Sequence, residues 1–176
     1  DVEAALSHAE QMAAEGAAII DVGGESTRPG ADPVDTAEEW RRIGDVVRAL
    51  VERGLCVSVD TRHAEVAAKA VGAGASIIND VSGFRDPAMV EVARASDVGC
   101  VVMHMKGDPS TMQQLAEYDD VVAEVRDYLA ARCAELEAAG IAHDRLCIDP
   151  GPGFAKTPHQ TTELMRNLHE LVRLGY

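Results

Sequence analysis

The sequence is short of basic residues, of long apolar runs and of any cysteine spacing that would hold a metal. Sixteen Lys and Arg stand against thirty Asp and Glu, a formal charge of −14 over 176 residues. Nucleic acid and anionic membranes both reward a basic face, so neither is expected as the main partner. A small anionic substrate stays compatible, because it responds to the local field of a cleft. No apolar run approaches the ~20 residues that span a bilayer. Cys56, Cys100, Cys133 and Cys147 have no short ligand spacing. They read as buried small hydrophobes of a reducing compartment, and with no secretory signal visible the expected location is cytoplasmic. No GxGxxG loop is present to support a dinucleotide fold. No linker, low-complexity tract or charge block marks a boundary, so residues 1–176 are expected to form a single domain.

What is there is a strict alternation. Residues 1–15 place Val2, Leu6, Ala9, Met12 and Ala13 on one helical face, and Gly16 ends that helix. AAIIDV (17–22) is an apolar run of the kind found in strands covered on both faces. A Gly- and Pro-rich loop (23–35) leads to a helix with Trp40, Ile43, Val47 and Leu50 in register, opened by Thr36 and Glu39 as a capping box. Further strands are predicted at 55–60, 76–81, 99–105 and 145–149. Further helices are predicted near 63–73, 87–95, 117–139 and 160–174, with a second Gly/Pro loop at 150–158. This is an α/β chain with a parallel sheet and right-handed crossovers.

Every strand carries a polar group at its C-terminal end: Asp21, Asp60, Asn79 with Asp80, His104 and Asp149. Barrel enzymes build their sites from that rim, with contributions from several strands. The expected fold is therefore a TIM (β/α)8 barrel, here a partial one of about five strands. The chain opens within a helix and stops where another strand should start. The expectation is an internal fragment, incomplete at both ends, with exposed strand edges and poor stability alone.

Loop 23–30 (GGESTRPG) offers two glycines for close ligand approach, the hydroxyls of Ser26 and Thr27, and the planar fork of Arg28 before Pro29. The alternative is an ordinary βα loop. Asp60 closes an apolar strand and needs partners, either a ligand or the next helix. Alternation sends Asn79 and Asp80 to opposite faces, so only one enters a central pocket. His104 reads as a hydrogen-bonded barrel histidine rather than a metal ligand, since no second His lies at ligand spacing. Met103 would wall a flat ring or simply fill the core. Asp149 could accept two donors from a guanidine-like ring edge, and Phe154 could cover a ring face. Lys156 contacts an anion or is a solvated loop lysine. His8, His63, His143, His159 and His169 default to the surface. No Ser/His or Cys/His arrangement for nucleophilic catalysis is present.

In order and spacing, DVGGESTRPGA (21–31), SVDT (58–61), IINDVSG (77–83), MHMKGDPSTMQ (103–113) and IDPGPGFAKT (148–157) resemble the dihydropteroate synthase family of pterin-binding barrels. The resemblance runs over essentially the whole chain. It implies condensation of hydroxymethyl-dihydropterin pyrophosphate with para-aminobenzoate, giving dihydropteroate and pyrophosphate, with sulfonamides competing at the second site. It implies a pterin pocket of Asp60, Asn79, Val81, Met103, Asp149, Gly153 and Phe154. It assigns Thr27, Arg28 and Pro29 to the loop for pyrophosphate and para-aminobenzoate, with Asp60, Arg28 and Thr27 closest to the chemistry. It also implies a homodimer, and Mg2+ held by a residue outside these 176, with no metal ligand within them. The chain alone is expected to turn over little. Two other readings share the barrel: a pterin-dependent corrinoid methyltransferase domain and a non-catalytic pterin-binding paralogue.

Overall fold

Five short apolar strands lie side by side in chain order. In the computed structural model, which describes residues 1–28 and 33–176, they are β1 (Ile20–Gly23), β2 (Val57–Asp60), β3 (Ile77–Asp80), β4 (Gly99–Met103) and β5 (Leu146–Asp149). All four pairings are parallel and the sheet order is β1-β2-β3-β4-β5. A doubly wound sheet reverses its order at a switch point. This one never does, and successive neighbours joined by helices are the topology of a (β/α)8 barrel. Five such units are present, with β1 and β5 at the two edges.

The helices are α1 (Val2–Ala14), α2 (Thr36–Glu52), α3 (Ala64–Gly72), α4 (Pro87–Arg94), α5 (Val121–Ala138), α6 (Pro158–Arg166) and α7 (Leu168–Val172). Alternate strand residues face them. Ile20, Val57 and Val59 bury against Ile43, Val47 and Leu50 of α2 and Val66 and Ala70 of α3. Ile78, Cys100, Val102 and Leu146 bury against Val125, Leu129, Cys133 and Leu136 of α5. The intervening residues, including Asp21, Asn79, Val101 and Cys147, form the other face. Register sets Asp60 beside Asn79, and Met103 beside Asp149. The chemistry-bearing side chains therefore share one face and one end of the sheet.

Several sequence expectations are corrected here. β1 begins at Ile20 rather than Ala17, because Ala17 still donates to Met12 O in the turn that closes α1. Asp35, not Thr36, caps α2 by accepting from Glu38 N at 2.9 Å. Thr36 instead donates to Glu65, and Glu39 is wholly buried. α5 starts at Val121, where Asp120 accepts from the amides of Val122 and Ala123. The last helix divides at Asn167, whose side-chain amide takes the Glu163 carbonyl and ends α6. Cys100 and Cys133 are buried as expected and Cys56 is half-buried. Cys147 is exposed, because its place in the register is on the face away from the helices.

Candidate functional site

At the C-terminal ends of the strands, neighbouring residues take opposite parts. Asp80 is 0% exposed and points toward the helices, where it accepts from Ser82 N at 2.7 Å and Phe84 N at 2.9 Å. These bonds fix the turn after β3, in which Phe84 holds a left-handed backbone at φ 59°. Arg132 of α5 secures the same turn through the carbonyls of Gly83 and Phe84. Asp80 is thus structural. Asn79 turns the other way, and its Nδ2 donates to Asp21 Oδ2 at 3.3 Å.

Asp60 and Asn79 stand next to each other with an unmet need. Asp60 Oδ1 and Asn79 Oδ1 are both buried, and neither has a hydrogen-bond partner among the described residues. A buried acceptor without a donor is costly, so the pair marks a place where donors belong. Burial, then the charges of Asp21, Glu39, Asp80 and Glu25, push the Asp60 carboxyl up to about 7. Gly23, the register partner of Asp60 on β1, leaves this edge open: a Cβ there would come to 3.4 Å from Asp60 Oδ2.

An apolar cluster lies at the same C-terminal end of the sheet, where Val81 follows β3 and Met103 ends β4. Val81, Met103, Met105, Met112 and Ala155 form one buried cluster, and Phe154 packs half-buried against it. Asp149 Oδ1 accepts from Gly151 N at 2.7 Å. Gly151 has φ 63° and passes so close to β4 that a Cβ would meet His104 O at 2.3 Å. Gly153 is exposed; its carbonyl accepts from Gln113 and its amide donates to Thr161.

Lys156 is neither solvated nor free to bind an anion. It is 3% exposed, and its Nζ lies 3.0 Å from His104 Nδ1, 3.1 Å from Gly151 O, 2.9 Å from Phe154 O and 3.3 Å from His104 O. An ammonium has only protons to offer, so His104 Nδ1 accepts and the imidazole carries its hydrogen on Nε2. Burial and the neighbouring Lys156 charge bring His104 down to about 3, and burial brings Lys156 down to about 8. His104 is a hydrogen-bonded barrel histidine.

The loop after β1 is tied at its ends. Glu25 Oε1 accepts from Val34 N at 3.0 Å, and the Glu25 carboxylate takes two hydrogen bonds from Arg62 at 2.8 and 3.0 Å. Burial, the largest single influence, works to raise the Glu25 carboxyl, but the Arg62 bonds and charge, the Val34 amide and His63 together hold the group below its ordinary value. Gly24 packs against α2, where a Cβ would stand 2.8 Å from Glu39 O. Thr27 is half-buried and Arg28 exposed; Pro29 lies outside the described residues. His63 departs from the surface role expected of it: its Nδ1 sits 2.6 Å from Glu39 Oε2. Sequence reading also missed Arg62 and the tie between Asp21 and Asn79, since each depends on a partner at least 37 residues away. Among the described residues no group of three or more His, Cys, Asp and Glu is placed to hold a metal ion, and no helix is long and apolar enough to cross a membrane.

Buried acceptors at the strand ends, with an apolar cluster at the same end of the sheet, fit a flat, donor-edged heterocycle, and comparison with known proteins points the same way. The sequence profile described as "Pterin binding enzyme" matches residues 1–176. The chain belongs to the pterin binding enzyme family. Within this family it is 48% identical over 179 residues to the dihydropteroate synthase of Neisseria meningitidis serogroup C, covering 100% of this chain and 63% of that protein. Its structure is similar to that of Xanthomonas albilineans dihydropteroate synthase with 4-aminobenzoic acid, at a TM-score of 0.92 and 45% identity over 99% of this chain and 62% of that one. It is similar also to the Burkholderia cenocepacia dihydropteroate synthase complexed with 7,8-dihydropteroate, at a TM-score of 0.91 and 45% identity over 97% and 61%. This pterin binding enzyme chain therefore spans about three-fifths of the length of those relatives.

Proposed function

We propose that the protein carrying this chain is a dihydropteroate synthase, joining 6-hydroxymethyl-7,8-dihydropterin pyrophosphate to para-aminobenzoate with release of pyrophosphate. One observation carries the reading: Asp60 Oδ1 and Asn79 Oδ1 lie buried, adjacent and unpartnered at the end of the sheet that carries the apolar cluster. A pterin edge presents N–H groups side by side, and a carboxylate answers them with charge-assisted bonds. Val81, Met103, Gly153 and Phe154 line the ring, and Asp149 takes a further part of its donor edge. Similarity to synthases solved with 4-aminobenzoic acid and with 7,8-dihydropteroate supports both halves of the reaction.

The chemistry asks little of general bases. The aromatic amine is neutral at pH 7, so its lone pair is available without deprotonation. The C–O bond to pyrophosphate breaks, the amine nitrogen bonds to the same carbon, and the ammonium proton passes to solvent. Positive charge developing on the methylene is shared with the pterin ring and stabilised by the Asp60 carboxylate. Arg28 and Thr27 take the leaving pyrophosphate, with Pro29 shaping the para-aminobenzoate side, where sulfonamides compete. Positioning and exclusion of water supply the rest of the rate. The magnesium ligand is placed outside these 176 residues, and no step is assigned to the metal. A cytoplasmic homodimer completes the proposal.

The test is pyrophosphate release from the dihydropterin pyrophosphate by the product of the complete reading frame, with and without para-aminobenzoate. Release coupled to dihydropteroate and blocked by a sulfonamide supports the synthase. Tight pterin binding without condensation would instead indicate a binding-only paralogue.

A further inference from the structure

The Asn79 amide has two unlike ends. Its nitrogen donates and its oxygen accepts, and a half-turn about χ2 exchanges them. Which end faces the pocket decides what the pocket can bind. With the nitrogen forward, Asn79 would offer a donor to its register neighbour Asp60 and occupy the acceptor that stands free there. With the oxygen forward, the pocket presents two acceptors in a row and no donor.

Asp21 makes that choice. It lies on the same sheet face, on the strand beyond β2, and its Oδ2 is 3.3 Å from Asn79 Nδ2. An ionised carboxylate can only accept, so it binds the nitrogen end alone. Gly23, two residues on, has no side chain to intervene between β1 and Asp60. We propose that Asp21 is a positioning residue: it holds the Asn79 amide with the oxygen toward the pocket, reserves Asp60 Oδ1 for the ligand, and so selects ring edges that carry adjacent donors. The proposal rests on the pterin-binding reading of the site.

Asp21 has a second, electrostatic consequence that makes it testable. The charged groups bearing on Asp60 are Asp21 from β1, Glu25 from the following loop, Glu39 from α2 and Asp80 from β3. After burial, Asp21 contributes most to the elevation of Asp60. A ligand that donates to Asp60 binds its ionised form, so affinity rises with pH through about 7 and then levels.

The experiment uses the product of the complete reading frame and 6-hydroxymethyl-7,8-dihydropterin as the probe, with calorimetry from pH 5 to 9. Carboxyl 13C titration of Asp60 accompanies it on the ligand-free protein. Asp21 is exposed, so neither Asp21→Asn nor Asp21→Ala disturbs packing. Asp21→Asn can still accept from Asn79 Nδ2 but brings a donor that also tolerates the reversed amide, and it loses the charge: affinity at pH 8 falls by less than in Asp21→Ala and the Asp60 midpoint moves to lower pH. Asp21→Ala loses both: the midpoint moves likewise, and affinity at pH 8 falls about fivefold, the size of an ordinary hydrogen bond. Equal losses in both variants with an unmoved midpoint would overturn the proposal, as would an Asp21→Ala protein indistinguishable from the parent. A parent protein that fails to bind the pterin overturns the reading of the site itself, and the two failures are read from different samples.

Discussion

The rim carries two Gly/Pro-rich loops, and their described residues are held in different ways. The loop after β5 is fastened along its length. Asp149 takes the Gly151 amide, Lys156 takes the Gly151 and Phe154 carbonyls, Gly153 is tied to Thr161 and Gln113, and Thr157 closes a capping box with Gln160. Among the described residues of the loop after β1, Glu25 is fastened to Val34 and Arg62. Among the described residues no hydrogen bond holds the side chain of Thr27 or Arg28; only the Arg28 amide reaches Ser26 Oγ, at 3.4 Å. The difference separates two kinds of work. A surface that recognises a rigid ring profits from being built before the ring arrives. Under the proposed function, the side chains of Thr27 and Arg28 meet the leaving anion, and groups with that task gain from not being committed to other partners beforehand.

Breaking the fastened loop has the largest expected effect. Lys156→Met leaves the Phe154 carbonyl and the Nδ1 of His104 without their buried donor, and the Gly151 carbonyl with only the Phe154 amide. That costs about 3 kcal/mol or more, and a thermal melt should show a drop of many degrees together with lost pterin binding. Asp60→Asn tests the recognition surface alone. We expect a 10- to 100-fold loss of dihydropterin affinity by calorimetry, from one charge-assisted pair. Stability should move the other way. The folded chain holds the Asp60 proton up to about 7, against an ordinary value of 3.8. The stability from that tighter hold is full below pH 4 and is lost as pH rises through 7. Asp60→Asn removes this decline, so its melting temperature at pH 8 should match or exceed the parent's.

The loop after β1 should respond more mildly. Arg62→Ala leaves the buried Glu25 carboxylate with only the Val34 amide, costing about 1–2 kcal/mol. Its KM for para-aminobenzoate should rise while dihydropterin affinity stays within about twofold; equal changes in both would show that the clasp serves the whole rim. Arg28→Ala should have the smallest effect on stability, within about 0.5 kcal/mol, because the side chain is exposed. Its pyrophosphate release should nonetheless slow, and unchanged release would remove Arg28 from the chemistry.

How much of this was legible in the sequence follows from where each partner lies. The strands could be read because each is a short apolar run ending in a polar residue. Period-two alternation also gave the opposed fates of Asn79 and Asp80. Asp60, Asn79, Met103 and Asp149 were found as strand ends on one rim. The failures share a cause. Lys156 reads as a loop lysine until His104, 52 residues earlier, is brought alongside. His63 reads as a surface residue until Glu39 is buried beneath it. Thr36 and Glu39 have capping-box spacing, but Asp35 is the better-placed cap and tertiary contacts claim the other two. Local pattern fixes strands and faces; the choice of partner belongs to the assembled sheet.

The enclosed ammonium of Lys156 also gives the protein a built-in spectroscopic reporter. Its protons are committed to the backbone of the β5 loop and to one imidazole nitrogen, away from bulk water, so they should exchange slowly enough to be followed by nitrogen-detected NMR. While Lys156 is protonated, below about pH 8, the same bond holds His104 in its Nε2–H tautomer and gives a reference signal a few ångströms away. A ligand stacking on Phe154 would shift the Lys156 resonance through the carbonyl they share. Occupancy of the ring slot could then be watched in solution without labelling the ligand or altering any residue of the site.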